Sequence, residues 1–255
     1  MKQLSHILLC SDLDGTLATA QGIPPRNLAA IERFIEAGGR FSVCSGRDSA
    51  YLRRIAGLRV SAPYVCVNGT QIYDPIEGRT LYLKTAPPSY KQAVSEAMRL
   101  YPTLKQLTVY QRQEHACLQW SLGQGEDLSV LPEADIQKAV MVFENEADTL
   151  ACKAQLIHRY PDLYACRSWP VGLELLPADG HKGLAVQRIK EMTGTTLLVA
   201  VGDYENDLDM LKAADLAYAP AGAHPDLLAI ATPVSSVAEG AVADVIERLF
   251  AEYSL

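Results

Sequence analysis

Asp12-Leu13-Asp14-Gly15-Thr16-Leu17 ends an apolar run near the start of the chain, and Gly202-Asp203-Tyr204-Glu205-Asn206-Asp207 ends another far downstream. Lys182 stands between them in sequence. Carboxylates gathered in two short loops repel, raise one another's pKa and cost stability unless protons or a cation compensate them. Such a set points to a metal, to acid–base work, or to both. Magnesium prefers hard oxygen ligands and keeps several waters, so one or two carboxylates, a carbonyl and a phosphate oxygen suffice to hold it. A turn at Gly15-Thr16 is required before Asp12 and Asp14 can approach one centre, and Gly15 permits both the turn and a close backbone approach. The chemistry these residues imply is cleavage of a phosphate ester at a magnesium site.

These residues resemble the haloacid dehalogenase superfamily of phosphohydrolases, in the Cof-like sugar-phosphatase branch with a large α/β cap. The resemblance covers nearly the whole chain, because four motifs occur in order. Asp12-Leu13-Asp14-Gly15-Thr16-Leu17 is the first, with Asp12 matching the nucleophile and Asp14 the general acid/base. Val43-Cys44-Ser45-Gly46-Arg47 is the second, in which Ser45 matches the hydroxyl that binds the transferring phosphoryl group. Lys182-Gly183 is the third, and the run from Gly202 to Met210 is the fourth, with Asp203 and Asp207 matching the acidic pair. The resemblance implies a Mg2+ held by Asp12, the backbone carbonyl of Asp14, and Asp203. Asp207 and Asn206 then support it from behind or touch the phosphate. Asp14 also separates this chain from relatives with Thr at that position, since Thr cannot protonate a leaving alkoxide and then deprotonate water.

The other candidates admit two readings each. Lys182 opens an apolar-periodic stretch through Leu184, Val186 and Ile189, and is either a solvated helix-start lysine or the cation that neutralises the phosphate and Asp12. A helix N-terminus disfavours a cation, which favours the second reading. Ser45 is a turn or cap residue by type. Its position after Phe41-Ser42-Val43-Cys44 places it where open α/β sheets bind ligands, together with Gly46. Arg47 is either a phosphate contact or an ion pair on the first turn of a helix. Asn68-Gly69 is a turn dipeptide, and it also matches the family's core-to-cap junction, where the Asn faces substrate. No two histidines stand at a metal-ligand spacing, and a hard-cation site has no use for them. One departure from the family is Ala221-Gly222-Ala223-His224, where relatives carry Gly-Asn-Ala.

Composition excludes other classes. The 255 residues are 49% hydrophobic with formal net charge -7, so the chain can bury a sizeable core in two domains and offers no basic patch for nucleic acid or an anionic membrane. Its expected partner is a small-molecule phosphate ester. Oligomeric state is not legible. The six cysteines form no CxxC pair, and Cys10, Cys44 and Cys66 lie in apolar runs as small buried hydrophobes. That usage suits a reducing cytoplasm. The apolar stretch from His6 to Cys10 is too short for a signal sequence, and no run approaches a membrane span.

The elements that must position these residues follow from periodicity. His6 to Cys10, Phe41 to Cys44 and Tyr64 to Val67 read as strands, and Pro24 to Ala37 and Asp48 to Ala56 as helices. This is the βαβαβ opening of a doubly wound parallel sheet. Leu197 to Val201 is expected as a central strand that delivers Asp203 beside Asp12. From about Thr80 the pattern changes: Leu107–Tyr110, Ala116–Trp120 and Ala139–Phe143 alternate like half-exposed antiparallel strands, with helices at Ser89–Leu100 and Ala147–Arg159. The expected fold class is α/β, a doubly wound Rossmann-like core (1–79 and 181–255) with an inserted α+β cap (80–180). A cap that closes over the substrate shields the reaction and chooses the leaving group.

The leading functional reading is a magnesium-dependent phosphatase acting on a small phosphorylated metabolite, by resemblance a sugar phosphate, through an aspartyl-phosphate. The alternatives are a phosphomutase of the phosphomannomutase type and a non-catalytic phosphometabolite-binding protein. A mutase needs a second cationic cluster, whereas Arg99, Lys105, Arg112, Lys138, Arg159 and Arg167 are scattered along the expected insertion's sequence. Trp120, Tyr110 and Glu174 are either leaving-group contacts or packing and surface groups.

Overall fold

The computed structural model describes residues 3–113 and 116–253. The chain forms two compact units, one from 1–81 with 182–255 and one from 82–181. The first unit opens with β1 (Ile7–Ser11), α1 (Pro25–Glu36), β2 (Arg40–Val43), the short α2 (Ser49–Leu52), β3 (Tyr64–Cys66), β4 (Gln71–Asp74) and β5 (Arg79–Leu83), whose last two residues fall in the second. The second unit contains α3 (Ser89–Leu100), β6 (Leu104–Arg112), β7 (Cys117–Gly123), β8 (Ile136–Phe143), α4 (Glu146–Arg159), β9 (Leu163–Trp169) and β10 (Gly172–Pro177). The first unit then resumes with α5 (Lys182–Thr193), β11 (Leu197–Val201), α6 (Leu208–Ala213), β12 (Leu216–Pro220), α7 (Pro225–Leu228), β13 (Thr232–Val234) and α8 (Ala241–Tyr253).

The first unit is built on a parallel sheet of order β13-β12-β11-β1-β2. Every residue of β1 is buried, as expected of a strand covered on both faces. α1 packs against α8 and α5 against α6, so amphipathic helices supply the two outer layers. In α1 the apolar spacing does this directly: Ala30, Ile31, Phe34 and Ile35 are buried, and a proline occupies its first turn, where the missing N–H costs nothing. From β1 the chain moves outward to β2, while β11 returns on the other flank of β1. That reversal makes the carboxyl edge of β1 and β11 a topological switch point, where open α/β sheets bind ligands.

Two expectations about this unit are corrected. β3 does not continue the parallel ladder: it meets it through a single bridge, Cys44 to Val65, and otherwise pairs antiparallel with β4 in a sheet of order β3-β4-β5. The helix expected over Asp48 to Ala56 stops at Leu52. Beyond it the bonds tighten from i+4 to i+3, with the Arg54 amide on Tyr51 and the Ile55 amide on Leu52, and Gly57 turns the chain at φ +73°.

The second unit is α+β. Its sheet runs β7-β6-β8-β10-β9, with antiparallel pairing throughout. Its core joins Ala93, Val94 and Ala97 of α3, Cys152 and Leu156 of α4, and Leu107, Val109, Met141, Leu173 and Leu175 of the strands. β8 is buried nearly throughout rather than half-exposed, because it is the middle strand of five. Its charge is compensated in place: buried Lys138 pairs with buried Glu174 at 2.6 Å, and Glu174 also accepts the Ser168 hydroxyl at 2.5 Å. Near the ends of this unit, Lys84 and Asp179 form an ion pair at 2.8 Å.

Candidate functional site

Three loops leave the carboxyl edge of the parallel sheet side by side. The Asp12 amide donates to the Val201 carbonyl at 2.9 Å and the Cys44 amide to the Ser11 carbonyl at 2.8 Å, so pairing persists one residue past β1 before the chains part. Asp12 is buried there, 5% exposed. Lys182, the first residue of α5, is fully buried, and its ammonium donates to Asp12 Oδ1 at 2.6 Å and to Asp207 Oδ1 at 2.7 Å. Two short charge-assisted bonds thus hold a cation where the helix dipole alone would repel it.

The downstream loop is pinned by its own carboxylates. Asp207 Oδ2 accepts the amides of Asp203 at 3.1 Å and Tyr204 at 3.4 Å, which closes the turn before α6. Asp203 Oδ1 accepts the Thr16 hydroxyl at 2.8 Å, joining this loop to the first. The approach leaves no room for side chains: a Cβ on Gly15, at φ +93°, would lie 2.5 Å from Asp203 Oδ2, and one on Gly202 would lie 2.5 Å from the Asp207 Cβ.

Oxygens of Asp12, Asp203 and Asp207 thereby come within 4.8 Å of one another. Burial raises the Asp12 carboxyl well above its usual range; Lys182 opposes this, while Asp207 and Asp203 reinforce it. Burial and the Asp207 charge push Asp203 up to about 6. Burial by itself would lower Lys182, but Asp12 and Asp207 outweigh it and hold the ammonium charged. Three hard-oxygen carboxylates face one ammonium, and the excess negative charge fits a divalent cation. Asp12, Asp203 and Asp207 are the side chains that could hold it.

The Asp14 side chain is not one of the three. Its carboxylate takes a two-point contact from Arg47, Nε to Oδ2 at 3.0 Å and Nη2 to Oδ1 at 3.2 Å, and both side chains are about half exposed. The Arg47 guanidinium also lies over the Tyr51 ring, 4.7 Å from its centroid. Arg47 therefore forms an ion pair, as one of its two readings held, but from the loop before α2 and across to Asp14. Ser45 is buried in the same loop, its Oγ accepting the Arg47 amide at 3.1 Å, with Gly46 between them.

The β3–β4 connection clamps that loop. The Val67 amide donates to the Arg47 carbonyl and the Asn68 amide to the Ser45 carbonyl, each at 2.9 Å. Val67, Asn68 and Gly69 run consecutively at φ of 50°, 57° and 114°. A β-branched residue at positive φ is a genuine outlier, sustained only where surrounding bonds over-determine it. Asn68 is buried and its Oδ1 accepts Asn206 Nδ2 at 3.3 Å. The two asparagines singled out from distant motifs thus meet each other.

Sequence reasoning missed three contributors. Thr16 orients Asp203, and only its place inside the first motif hinted at that. The His224 amide donates to the Asp203 carbonyl at 2.8 Å, and its ring stands edge-on to Tyr204 at 5.1 Å. The segment that departs from the family's Gly-Asn-Ala therefore braces the acidic loop through its backbone, which no side-chain pattern reveals. Tyr51 is the third. In the second unit, Tyr110 carries Lys138 over its ring at 4.7 Å, Glu174 is the partner of Lys138, and Trp120 packs against the core while its Nε1 donates to Gln111 Oε1 at 3.1 Å.

Residues 9–246 match the haloacid dehalogenase-like hydrolase family. The chain belongs to that family. Among curated relatives, the HMP-PP phosphatase of Cronobacter sakazakii is 27% identical over 247 residues, covering 86% of this chain and 85% of that protein. Among solved structures, a haloacid dehalogenase-like hydrolase from B. subtilis superposes with a TM-score of 0.81 at 22% identity, over 98% of this chain and 100% of the other. A HAD subclass IIB sugar phosphatase superposes with a TM-score of 0.76 at 17% identity, over 95% and 98%. This hydrolase therefore has the doubly wound core expected from its sequence. Among the described residues, no helix is long and apolar enough to cross a membrane.

Proposed function

We propose that this hydrolase is a magnesium-dependent phosphatase that cleaves a small phosphorylated metabolite through an aspartyl-phosphate on Asp12. The observation that carries the reading is the convergence of Asp12, Asp203 and Asp207 on one point with Lys182 bonded to two of them. Mg2+ would be held by Asp12, Asp203 and the Asp14 backbone carbonyl, and when bound it supplies charge neutralisation for a phosphate dianion. Asp207, with both oxygens engaged by Lys182 and backbone amides, is assigned to orienting Lys182 and the acidic loop. Asp12 attacks phosphorus in line while Asp14 protonates the leaving alcohol; Asp14 then takes a proton from water, which attacks the phosphoenzyme and releases phosphate. Lys182, the Ser45 hydroxyl and Gly46 are assigned to the phosphoryl oxygens, with Asn68, Asn206 and Arg47 bordering them.

A sugar phosphate is the favoured substrate because a structural neighbour is named a sugar phosphatase. The cytoplasm is the favoured compartment, since all six cysteines are free. Catalysis is assigned to the first unit, to which every residue given a role in phosphoryl transfer belongs, and choice of leaving group to the second. Hydrolysis is favoured over a mutase reaction because Lys105, Lys138, Arg159 and Arg167 are each paired with a glutamate instead of forming a cationic cluster.

Phosphate release from an aryl phosphate and from a panel of sugar phosphates, with Mg2+ and with EDTA, tests the reading. Turnover should require the metal, and Asp12→Asn should lower it by several orders of magnitude, on the order of 10⁴ or more, while retaining the fold. Turnover indifferent to chelation would remove the metal, and an active Asp12→Asn variant would remove the nucleophile.

A further inference from the structure

Tyr51 stands outside every motif, on a helix of four residues, yet it is tied to the site. Asp48 caps that helix by accepting the Tyr51 amide at 2.8 Å, which fixes the ring beside the loop of Ser45, Gly46 and Arg47. Tyr51 stays 45% exposed while the Arg47 guanidinium stacks on its ring. Stacking uses the guanidinium's face and leaves its N–H edge for coplanar acceptors. That edge makes the two-point contact with Asp14. The backbone of Arg47 is also fixed, by Ser45 Oγ at its amide and by the Val67 amide at its carbonyl.

We infer that Tyr51 is a positioning residue for the second half of the reaction: through Arg47 it holds in place the Asp14 carboxylate, which accepts a proton from the water that hydrolyses phospho-Asp12. This rests on the phosphatase reading of the same site. In that step a water oxygen forms a bond to phosphorus, the bond between phosphorus and Asp12 Oδ breaks, and the water's proton passes to Asp14. The first half-step, with an aryl leaving group stable as its anion, needs no proton from Asp14.

The test is rapid-quench kinetics with p-nitrophenyl phosphate and Mg2+, following formation and decay of the phosphoenzyme. Tyr51→Leu should slow decay by about threefold, the scale of an exposed cation–π contact, and Arg47→Lys by on the order of tenfold, within a general base's share. Formation and kcat/KM should stay unchanged in Tyr51→Leu, its kcat and KM should fall together where decay limits turnover, and Tyr51→Phe should restore the wild-type decay. Wild-type decay in Tyr51→Leu overturns the inference. So does parallel loss of formation and decay in Tyr51→Leu, the mark of a merely structural role. Absence of phosphoenzyme and of phosphate release from the wild type would instead overturn the phosphatase reading itself.

Discussion

Replacing Asp203 with asparagine should make the metal-free protein more stable at neutral pH while disabling it. The folded chain raises the Asp203 carboxyl from 3.8 to about 6, by burial first and by the Asp207 charge second. A raised carboxyl contributes stability that is present below the unfolded value and lost as pH rises through the folded one. Between pH 4 and 6 the ionising side chain therefore turns from neutral to costly. The shift of about two units corresponds to roughly 3 kcal/mol at most. Asparagine keeps an oxygen for the Thr16 hydroxyl and carries no charge, so it should recover about 2 kcal/mol of that. For a chain of this size, each kcal/mol moves Tm by about 2–4 °C, so the midpoint should rise by about 4–8 °C. The assay is thermal unfolding in EDTA from pH 4 to 8, variant against wild type. The gap should be near zero at the acid end, widen as pH rises from about 4, level off above about 6, and shrink or reverse when Mg2+ is added, because the cation compensates the wild-type site. A variant no more stable than wild type at pH 8 in EDTA, or a gap that ignores pH, would refute the electrostatic reasoning.

Lys182→Met should destabilise the metal-free protein by about 3–5 kcal/mol in thermal unfolding, since it strips the partner from two buried carboxylates; adding Asp12→Asn should return part of the loss. Gly15→Ala should cost about 1–2 kcal/mol for the left-handed backbone alone, and phosphate release at limiting Mg2+ should fall further, because the new methyl meets Asp203 Oδ2. In the second unit, Lys138→Met should cost about 3–5 kcal/mol by leaving the buried Glu174 charge without this cation, whereas Lys138→Met with Glu174→Leu should be near neutral. Equal destabilisation by the single and double changes, measured by denaturant unfolding, would count against that account.

The parts of the molecule legible in the sequence are those with a local cause. β1, α1 and β11 follow from uninterrupted apolar runs and a 3.6-residue period, and the loops after them from Gly15 and Gly202, where a side chain has no space. What stayed hidden depends on distant partners. Nothing near Tyr64 announces that its strand leaves the parallel sheet after one bridge. Val67 has the wrong side chain for its left-handed backbone, and only bonds from the loop of Ser45 to Arg47 account for it. The Asp14–Arg47 contact spans 33 residues, so propensity could propose an ion pair for Arg47 but could not choose its partner. β9 and β10 escaped because the burial of both on one sheet depends on pairing with each other and with β8.

The ion pair between Lys84 and Asp179 brings together two points 95 residues apart in sequence, one just inside each end of the second unit. A segment that leaves its host and returns at nearly the same spot can be exchanged as a cassette with little disturbance to the scaffold that carries it. Transplanting residues 82–181 from one relative onto another is thus an evolutionary move of low structural cost, by which a single hydrolytic scaffold could acquire new tastes without rebuilding its chemistry.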